Sequence, residues 1–194
     1  MRKTEENKMC MPLLSKLDEK LSKGRVVLAI DGHSGSGKST LAGVLKELYD
    51  CTVFKMDDFF LQPHQRTPER FDKPGGNVDR ERFEEEVLVP LSKNESVSYR
   101  RYDCSTGKLM PAEIIVPAEL VVIEGVYCMH PDLANYYDLT VFLDISENLQ
   151  KERILKRNSP QLAQRFFDEW IPMESRYFEL MNVKERCDLV VKVG

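Results

Sequence analysis

Short apolar runs alternate with stretches of helical periodicity along most of this chain. The apolar runs lie at Val26–Ile30, Cys51–Met56, Leu120–Ile123, Leu139–Ile145 and Leu189–Val193. Continuous apolar runs of this length are typical of strands buried on both faces, as in a parallel sheet. The stretches before and between these runs predict helices at about 13–21, 40–49, 80–91, 146–157 and 160–182. This alternation predicts an α/β fold: a parallel five-stranded sheet with helices on both faces.

Two segments interrupt the alternation. Residues 57–80 show no clear period and contain several prolines and phenylalanines, and so long a loop inside a compact domain is usually functional or disordered. The stretches VSYRRYDC and EIIVPA predict two short strands of a β-hairpin with its turn at Gly107. The length of 194 residues accommodates one domain, 1–194, with a small lid.

Charge and cysteine usage narrow the class of protein. The formal net charge of -4 argues against a nucleic-acid polymer as partner, because such binders usually carry a concentrated basic surface. The 5 cysteines include no C-x-x-C pair, so we expect reduced thiols rather than a zinc site or a disulfide framework. The N-terminal stretch MRKTEENKMCMPLL lacks the apolar core of a signal peptide, and no stretch is long enough to span a membrane. We therefore expect a cytoplasmic protein without a membrane partner, and the sequence leaves a homo-oligomer open.

A complete phosphate-binding pattern, G-x-x-x-x-G-K-[ST], follows the first predicted strand and opens the next predicted helix. Its residues are Gly32, His33, Ser34, Gly35, Ser36, Gly37, Lys38 and Ser39, with Thr40 next in the helix. Backbone N–H groups of such a loop surround a phosphate, and the helix N-terminus adds the positive end of its dipole. We expect Lys38 to reach the outer phosphates of a nucleotide and Ser39 to bind Mg²⁺. The His33 side chain is expected to lie in water.

Acidic residues stand at the ends of other strands. Asp57 and Asp58 follow the second predicted strand and Glu124 follows the third, where ligands bind in parallel sheets. One carboxylate near a transferred phosphoryl group can accept a hydroxyl proton, and a second can hold hydrated Mg²⁺. An acid after a strand can also cap a helix or form a turn. The chain has no guanine-reading N-K-x-D stretch, which argues against a GTPase switch.

These motifs resemble the uridine kinase family, whose relatives include nicotinamide riboside kinase and phosphoribulokinase. The matching pieces, in the family's order, are GHSGSGKST, MDDFF, NVDRERF, YRRYDCSTG, VVIEGVY and RILKRNSPQLAQR. The resemblance implies the P-loop NTPase fold, with ATP and Mg²⁺ as cofactors and a small molecule as acceptor. It also implies an acceptor-binding region at about 57–116 and a helical lid at about 151–165.

The resemblance implies roles for the acidic residues. Asp57 would be the general base facing the acceptor hydroxyl, with Asp58 as the fallback if the register differs by one. Glu124 would bind Mg²⁺ together with Ser39. Asp79, in NVD, would grip the 2′ and 3′ hydroxyls of a ribose, although an Asp before a helix is also a favoured N-cap.

The remaining implied roles concern the acceptor and the lid. Tyr102 would lie against the base or the sugar of the acceptor. Arg157 and Arg165 would close over the ATP phosphates. Arg153 is a weaker candidate, because an arginine on a charged helix is usually solvated.

One position departs from the family pattern. Uridine-cytidine kinases carry a histidine that reads the pyrimidine edge where this chain has Gly107. The expected activity is ATP-dependent phosphorylation of a hydroxyl group, with the 5′-hydroxyl of a uridine- or cytidine-type nucleoside as the expected acceptor. The alternatives are a kinase for nicotinamide riboside, pantothenate or a sugar phosphate and, from another class, a nucleotide-binding regulatory NTPase.

Overall fold

A parallel sheet forms the centre of the molecule. The computed structural model describes the backbone of residues 2–194 and the side chains of residues 11–194. The strands are β1 (Val26–Gly32), β2 (Cys51–Lys55), β3 (Val97–Tyr99), β4 (Tyr102–Asp103), β5 (Lys108–Leu109), β6 (Glu113–Ile115), β7 (Leu120–Glu124), β8 (Leu139–Ile145) and β9 (Leu189–Val193). Five of them form one sheet in the order β2-β7-β1-β8-β9, with every pairing parallel. The predicted five-stranded parallel sheet is confirmed.

Helices connect these strands. They are α1 (Arg2–Leu21), α2 (Lys38–Leu48), α3 (Pro68–Phe71), α4 (Arg80–Phe83), α5 (Val89–Ser92), α6 (Glu147–Arg157), α7 (Pro160–Arg165) and α8 (Ile171–Leu180). π-Helical turns at Glu84–Leu88 and Phe166–Trp170 join α4 to α5 and α7 to α8. The helices predicted at 80–91 and 160–182 are therefore each one helical run with a wider turn inside. Within the described residues, none of these helices has an apolar stretch that could cross a bilayer.

The two faces of the sheet are covered by different helices. Side chains alternate between faces along a strand, so Val26, Leu28 and Ile30 pack with α1 and α2 on one face. Val27 and Ala29 point to the opposite face, where they join a core that includes α5 and α8. The predicted packing of helices on both faces is confirmed.

The register of the central strands brings three chain segments to one edge of the sheet. Ile30 of β1 and Lys55 of β2 both pair with Glu124, the last residue of β7. On the other side of β1, Gly32 lies against β8 so closely that a Cβ there would meet the carbonyl oxygen of Leu143 at 2.5 Å. The loop after β1, the end of β7 and the turn after β2 therefore meet at the carboxyl edge.

The insertion between β2 and β7 is more ordered than its lack of period suggested. Helical turns form at Met56–Phe59 and Pro63–Gln65, followed by α3, which Thr67 caps at its start. The predicted hairpin is confirmed as two short antiparallel ladders, β3 with β6 and β4 with β5, with Gly107 at the turn.

Candidate active site

The phosphate loop is shaped to hold an anion. Gly37 adopts a left-handed conformation (φ 99°) directly before α2, which glycine does without steric cost. The first N–H groups of an α-helix have no partner within the helix and are available to a phosphate. Within the described part of the chain, the buried Ser36 Oγ also has no hydrogen-bond partner. The loop thus presents backbone and side-chain donors to a phosphate.

Lys38 is anchored at the edge of this loop. Its Nζ donates to the carbonyl oxygens of Gly32 at 2.7 Å and His33 at 3.1 Å. The side chain is largely buried, so the loop holds a cation beside the donors that a nucleotide phosphate would meet. The phosphate-binding role of Lys38 stays a prediction.

The expected position of the His33 side chain is wrong. The imidazole is half-buried and packs edge-on against Phe178, with ring centroids 4.6 Å apart, and against Phe142. Burial lowers the pKa of His33, and the Lys38 charge lowers it further. The imidazole packs against two core phenylalanines and so does not lie in water.

A hydroxyl and a carboxylate form a pair beside Lys38. Ser39 Oγ donates to Glu124 Oε1 at 2.9 Å, and Glu124 is buried. Burial raises the pKa of Glu124, and the Ser39 hydrogen bond and the Lys38 charge partly oppose the rise. This pair offers only a few oxygen ligands. That number fits Mg²⁺, because the ion usually keeps several waters and takes few protein ligands.

The two aspartates after β2 point to different surroundings. Asp57 faces the cleft that contains the phosphate loop. Solvent reaches Asp57, yet the protein around it excludes enough water to raise its pKa, with Lys38 opposing the rise and Asp58 adding to it. The Asp58 carboxylate instead accepts a hydrogen bond of 2.6 Å from the Tyr99 hydroxyl. Of the two, Asp57 is the one that lines the cleft.

A single cleft of about 1020 Å³ brings most of the predicted residues together. The predicted residues that line it are Ser34, Gly35, Ser36, Gly37, Lys38, Ser39, Thr40, Asp57, Glu124, Arg157 and Arg165. It also contains aromatic and polar side chains that the sequence did not single out, among them Phe60, Asn77, Tyr127, Phe166, Trp170 and Glu174. The cleft is large enough for a nucleotide and a small acceptor together.

The lid arginines lie along one wall of the cleft. The Arg157 guanidinium lies 5.4 Å from the ring centre of Phe166, and that of Arg165 lies 4.9 Å from the ring centre of Trp170. Arg153, which was expected to be solvated, donates from Nη1 to the carbonyl oxygen of Gly35 at 3.1 Å. Spacing could have identified it, because Arg153 lies one helical turn before Arg157 and so shares its face.

Glu174 is a second residue that the sequence did not single out. Its buried carboxylate accepts from the Ser34 backbone N–H at 2.9 Å and from the Ser34 hydroxyl. One turn later on α8, the Tyr177 hydroxyl donates at 3.0 Å to Asp31, which precedes the loop. Burial raises the pKa of Glu174, and its bonds with Ser34 partly oppose the rise. α8 is therefore attached to the phosphate loop at two points.

Asp79 and Tyr102 lie outside the described lining of this cleft. Asp79 Oδ1 accepts from the backbone N–H of Arg82 at 3.2 Å, so the side chain caps α4, and its Oδ2 accepts from Gln65 at 2.9 Å. The Tyr102 hydroxyl accepts from Arg66 at 3.3 Å. The N-cap that the sequence left open for Asp79 is present, and the substrate roles of both residues stay predictions.

Comparisons with known proteins identify the family of this chain. A model of the family described as "Phosphoribulokinase / Uridine kinase family" matches residues 27–164. A uridine kinase of Chlamydia pneumoniae is 28% identical over 68% of this chain and 62% of its own length. A phosphoribulokinase of Synechocystis is 27% identical over 87% of this chain and 53% of its own length. The chain therefore spans about half to two thirds of the length of these two relatives.

A solved structure shares the fold. It is described as a possible uridine kinase from Bacillus stearothermophilus and has 24% sequence identity and a TM-score of 0.64. The alignment covers 93% of this chain and 99% of that one. The matched residues include the phosphate loop, both aspartates after β2, Glu124 and Arg157 of α6. This chain belongs to the phosphoribulokinase/uridine kinase family.

Proposed function

We propose that this protein is an ATP-dependent kinase that phosphorylates a hydroxyl group of a small metabolite, with the 5′-hydroxyl of a nucleoside as the acceptor. The observation that carries the proposal is the convergence of Lys38, Asp57 and the Ser39–Glu124 pair on one cleft. A phosphate-binding loop alone supports nucleotide binding. A carboxylate that faces the same cleft adds the group needed to receive a proton from an acceptor hydroxyl.

Each residue has a distinct part in this reaction. The N–H groups of the loop and the Lys38 ammonium hold the phosphates and stabilise the charge that develops on them. Asp57 orients the acceptor hydroxyl and takes its proton. Mg²⁺ held by Ser39 and Glu124 would neutralise phosphate charge. Arg157 and Arg165 stand on the wall of the cleft that would close over the phosphates.

Two further observations favour a nucleoside as the acceptor. It is supported by the relatives named uridine kinase and by apolar and aromatic lining, such as Phe60 and Val126, in the same cleft. The Synechocystis relative, named phosphoribulokinase, favours a sugar phosphate as the alternative acceptor. A regulatory NTPase, the alternative from another class, needs no second pocket beside the nucleotide.

The proposal is tested by release of ADP from ATP and Mg²⁺ in the presence of single acceptors. The panel contains uridine, cytidine, nicotinamide riboside, pantothenate and ribulose 5-phosphate. We expect ADP release that matches product formation one to one with a nucleoside and only a slow background without an acceptor. Stoichiometric transfer to ribulose 5-phosphate alone would establish the sugar-phosphate alternative. Acceptor-independent hydrolysis would favour the regulatory NTPase.

A further inference from the structure

Two buried side chains hold the third residue of the phosphate loop from opposite sides. The backbone N–H of Ser34 donates to Glu174 Oε2 at 2.9 Å, and the Ser34 hydroxyl donates to Glu174 Oε1. On the other side of the residue, Gln150 Nε2 donates to the Ser34 carbonyl oxygen at 3.0 Å. Each polar group of Ser34 is thereby paired with a side chain that lies more than a hundred residues away in the sequence.

The burial of these two side chains needs an explanation. Gln150 is 5% exposed and Glu174 is 3% exposed. Taking an amide or a carboxylate out of water is unfavourable unless hydrogen bonds replace the lost hydration, and apolar residues often stabilise a core better. The hydrogen bonds that replace the hydration here are made with the phosphate loop. Their placement therefore indicates a role at the loop and not in the core.

The stretch that follows Ser34 is one that benefits from being held. Gly35 and Gly37 both have left-handed backbone, with φ of 81° and 99°, and glycine changes conformation more freely than other residues. The N–H groups that would bind phosphate belong to this stretch and to the start of α2. A loop that is already fixed in its binding conformation binds more tightly, because no ordering is needed when the ligand arrives.

The two holding residues come from helices on either side of α7. Gln150 lies on α6 and Glu174 lies on α8. Arg153, one turn after Gln150, donates to the next carbonyl oxygen of the loop, that of Gly35, at 3.1 Å. The conformation of the loop therefore depends on the packing of α6 and α8, and not on its own sequence alone.

We propose that Gln150 and Glu174 are positioning residues for the nucleotide. They hold the phosphate loop in its binding conformation in the empty protein, so the affinity for ATP depends on both. The proposal rests on the ATP-binding step of the proposed function and is independent of the acceptor.

The test removes each holding residue in turn. Glu174→Ala removes both hydrogen-bond acceptors of Ser34, and Gln150→Met replaces the amide with an apolar side chain of similar length. Tyr137→Phe is the matched control, because the Tyr137 hydroxyl donates at 2.6 Å to the carbonyl oxygen of Cys128, outside the described lining of the cleft. Isothermal titration calorimetry measures the Kd for ATP with Mg²⁺ and without an acceptor, and melting temperature is measured on the same samples.

We expect the Kd for ATP to rise about five- to tenfold in Glu174→Ala and in Gln150→Met, as fits the loss of a hydrogen-bonded contact that orders the loop. In Tyr137→Phe the melting temperature should fall while the Kd stays within about twofold of wild type. Glu174→Gln separates the hydrogen bonds from the charge. Its amide oxygen can accept from the Ser34 N–H and its amide nitrogen can donate to the Ser34 hydroxyl, so ATP should bind as tightly as to wild type or more tightly.

Hydrogen exchange of peptides that cover residues 32–39 reports on the loop directly. In the empty protein we expect exchange at least about tenfold faster in Glu174→Ala than in wild type. Added ATP should restore the protection. A role limited to overall stability would not change exchange in this loop selectively.

Four results would overturn the proposal. Unchanged ATP affinity or unchanged loop exchange in folded Glu174→Ala and Gln150→Met would overturn it and leave the kinase assignment standing, and either variant decides if the other does not fold. Tighter ATP binding by Glu174→Ala would show that the carboxylate competes with the phosphates as an anion. An equal loss of affinity in Tyr137→Phe would show that affinity follows stability alone. A wild-type protein that binds no ATP would overturn the proposed function and the positioning role together.

Discussion

Lys38 is the side chain whose removal should affect transfer most directly. Its Nζ lies between two carbonyl oxygens at the edge of the phosphate loop, where it would stabilise charge on the transferred group. We expect Lys38→Ala to slow transfer by at least about a thousandfold, on the order of 4 kcal/mol of transition-state stabilisation. ADP release with acceptor present measures this, and circular dichroism checks that the variant is folded. Turnover within about tenfold of wild type in a folded variant would contradict the role.

Asp57 and Asp58 offer a matched pair of substitutions. Asp57 faces the cleft and Asp58 bonds to Tyr99, so Asp57→Asn should lower kcat by about 10²- to 10⁴-fold with little change in the KM for ATP. Asp58→Asn should have a much smaller effect on kcat. Because burial raises the pKa of Asp57, kcat should fall on the acid side at a higher pH than an ordinary aspartate would give. A larger effect from Asp58→Asn would show that Asp58, and not Asp57, is the general base.

Asp79 is expected to act first on stability. Its carboxylate caps α4 and lies 3.5 Å from Arg82 Nε, so Asp79→Ala should lower the free energy of unfolding by about 1 kcal/mol or more. Urea unfolding measures this loss. If Asp79 serves only as the cap, the ratio of activity on uridine to activity on 2′-deoxyuridine will stay as in wild type. A lost preference would show that Asp79 binds the ribose, as the family resemblance implies.

At the scale of elements, the attachment of α8 to the phosphate loop can be measured with tyrosine variants. The buried Tyr177 hydroxyl donates to Asp31, whereas the Tyr49 hydroxyl donates at 2.8 Å to Asp18 on the exposed surface. Tyr177→Phe should lower the free energy of unfolding by about 2 kcal/mol, because a buried carboxylate loses a donor. Tyr49→Phe should cost under about 0.5 kcal/mol, since water replaces the lost bond. Equal losses in urea unfolding would contradict a specific role for the buried bond.

The strands and helices could be located from the sequence, but the elements that lie next to each other in the fold could not. Apolar runs such as Leu120–Ile123 predict buried strands because burial on both faces demands apolar side chains at every position. Nothing local to β1 indicates that it lies between β7 and β8. The same limit explains why the sequence did not single out Glu174. Its partner Ser34 lies 140 residues away, and only the folded topology brings the two together. The predicted hairpin needed only local pattern and turn chemistry, and it forms as β3 with β6 and β4 with β5.

The hydrogen-bond partners of a polar side chain are likewise invisible in a sequence, because they depend on every element packed around that side chain. Asp79 is an example. Its place in NVD suggested a ligand contact, and the fold supplies Gln65 and Arg82 as internal partners.

At the scale of the whole molecule, several buried carboxyls around the phosphate loop give stability a definite pH dependence. Burial raises the pKa of Asp31, Glu124 and Glu174. For Asp31, burial outweighs the Lys38 charge and the hydrogen bonds it accepts, and the pKa rises from 3.8 to about 6. The folded protein therefore holds this proton more tightly than the unfolded chain does.

The sign of the effect follows from that difference. The stability contributed by protonated Asp31 is complete below pH 3.8 and is lost as the pH rises through about 6. The wild-type free energy of unfolding should thus decrease over this range, by on the order of 3 kcal/mol from Asp31 alone. Asp31→Asn cannot titrate, so urea unfolding between these pH values should show the difference between variant and wild type moving in favour of the variant. Parallel curves would contradict the shift.

The two hydrogen-bonded contacts from α8 to the phosphate-loop region also affect when the nucleotide-binding site forms during translation. Residues 32–39 leave the ribosome early, whereas Glu174 and Tyr177, which fix Ser34 and Asp31, are synthesised more than a hundred residues later. Domains fold as units once their distant segments are available. A growing chain therefore carries the nucleotide-binding motif long before it carries the nucleotide-binding site. We expect ATP to bind only after translation has passed α8, so the nucleotide stabilises the finished domain rather than guiding its synthesis.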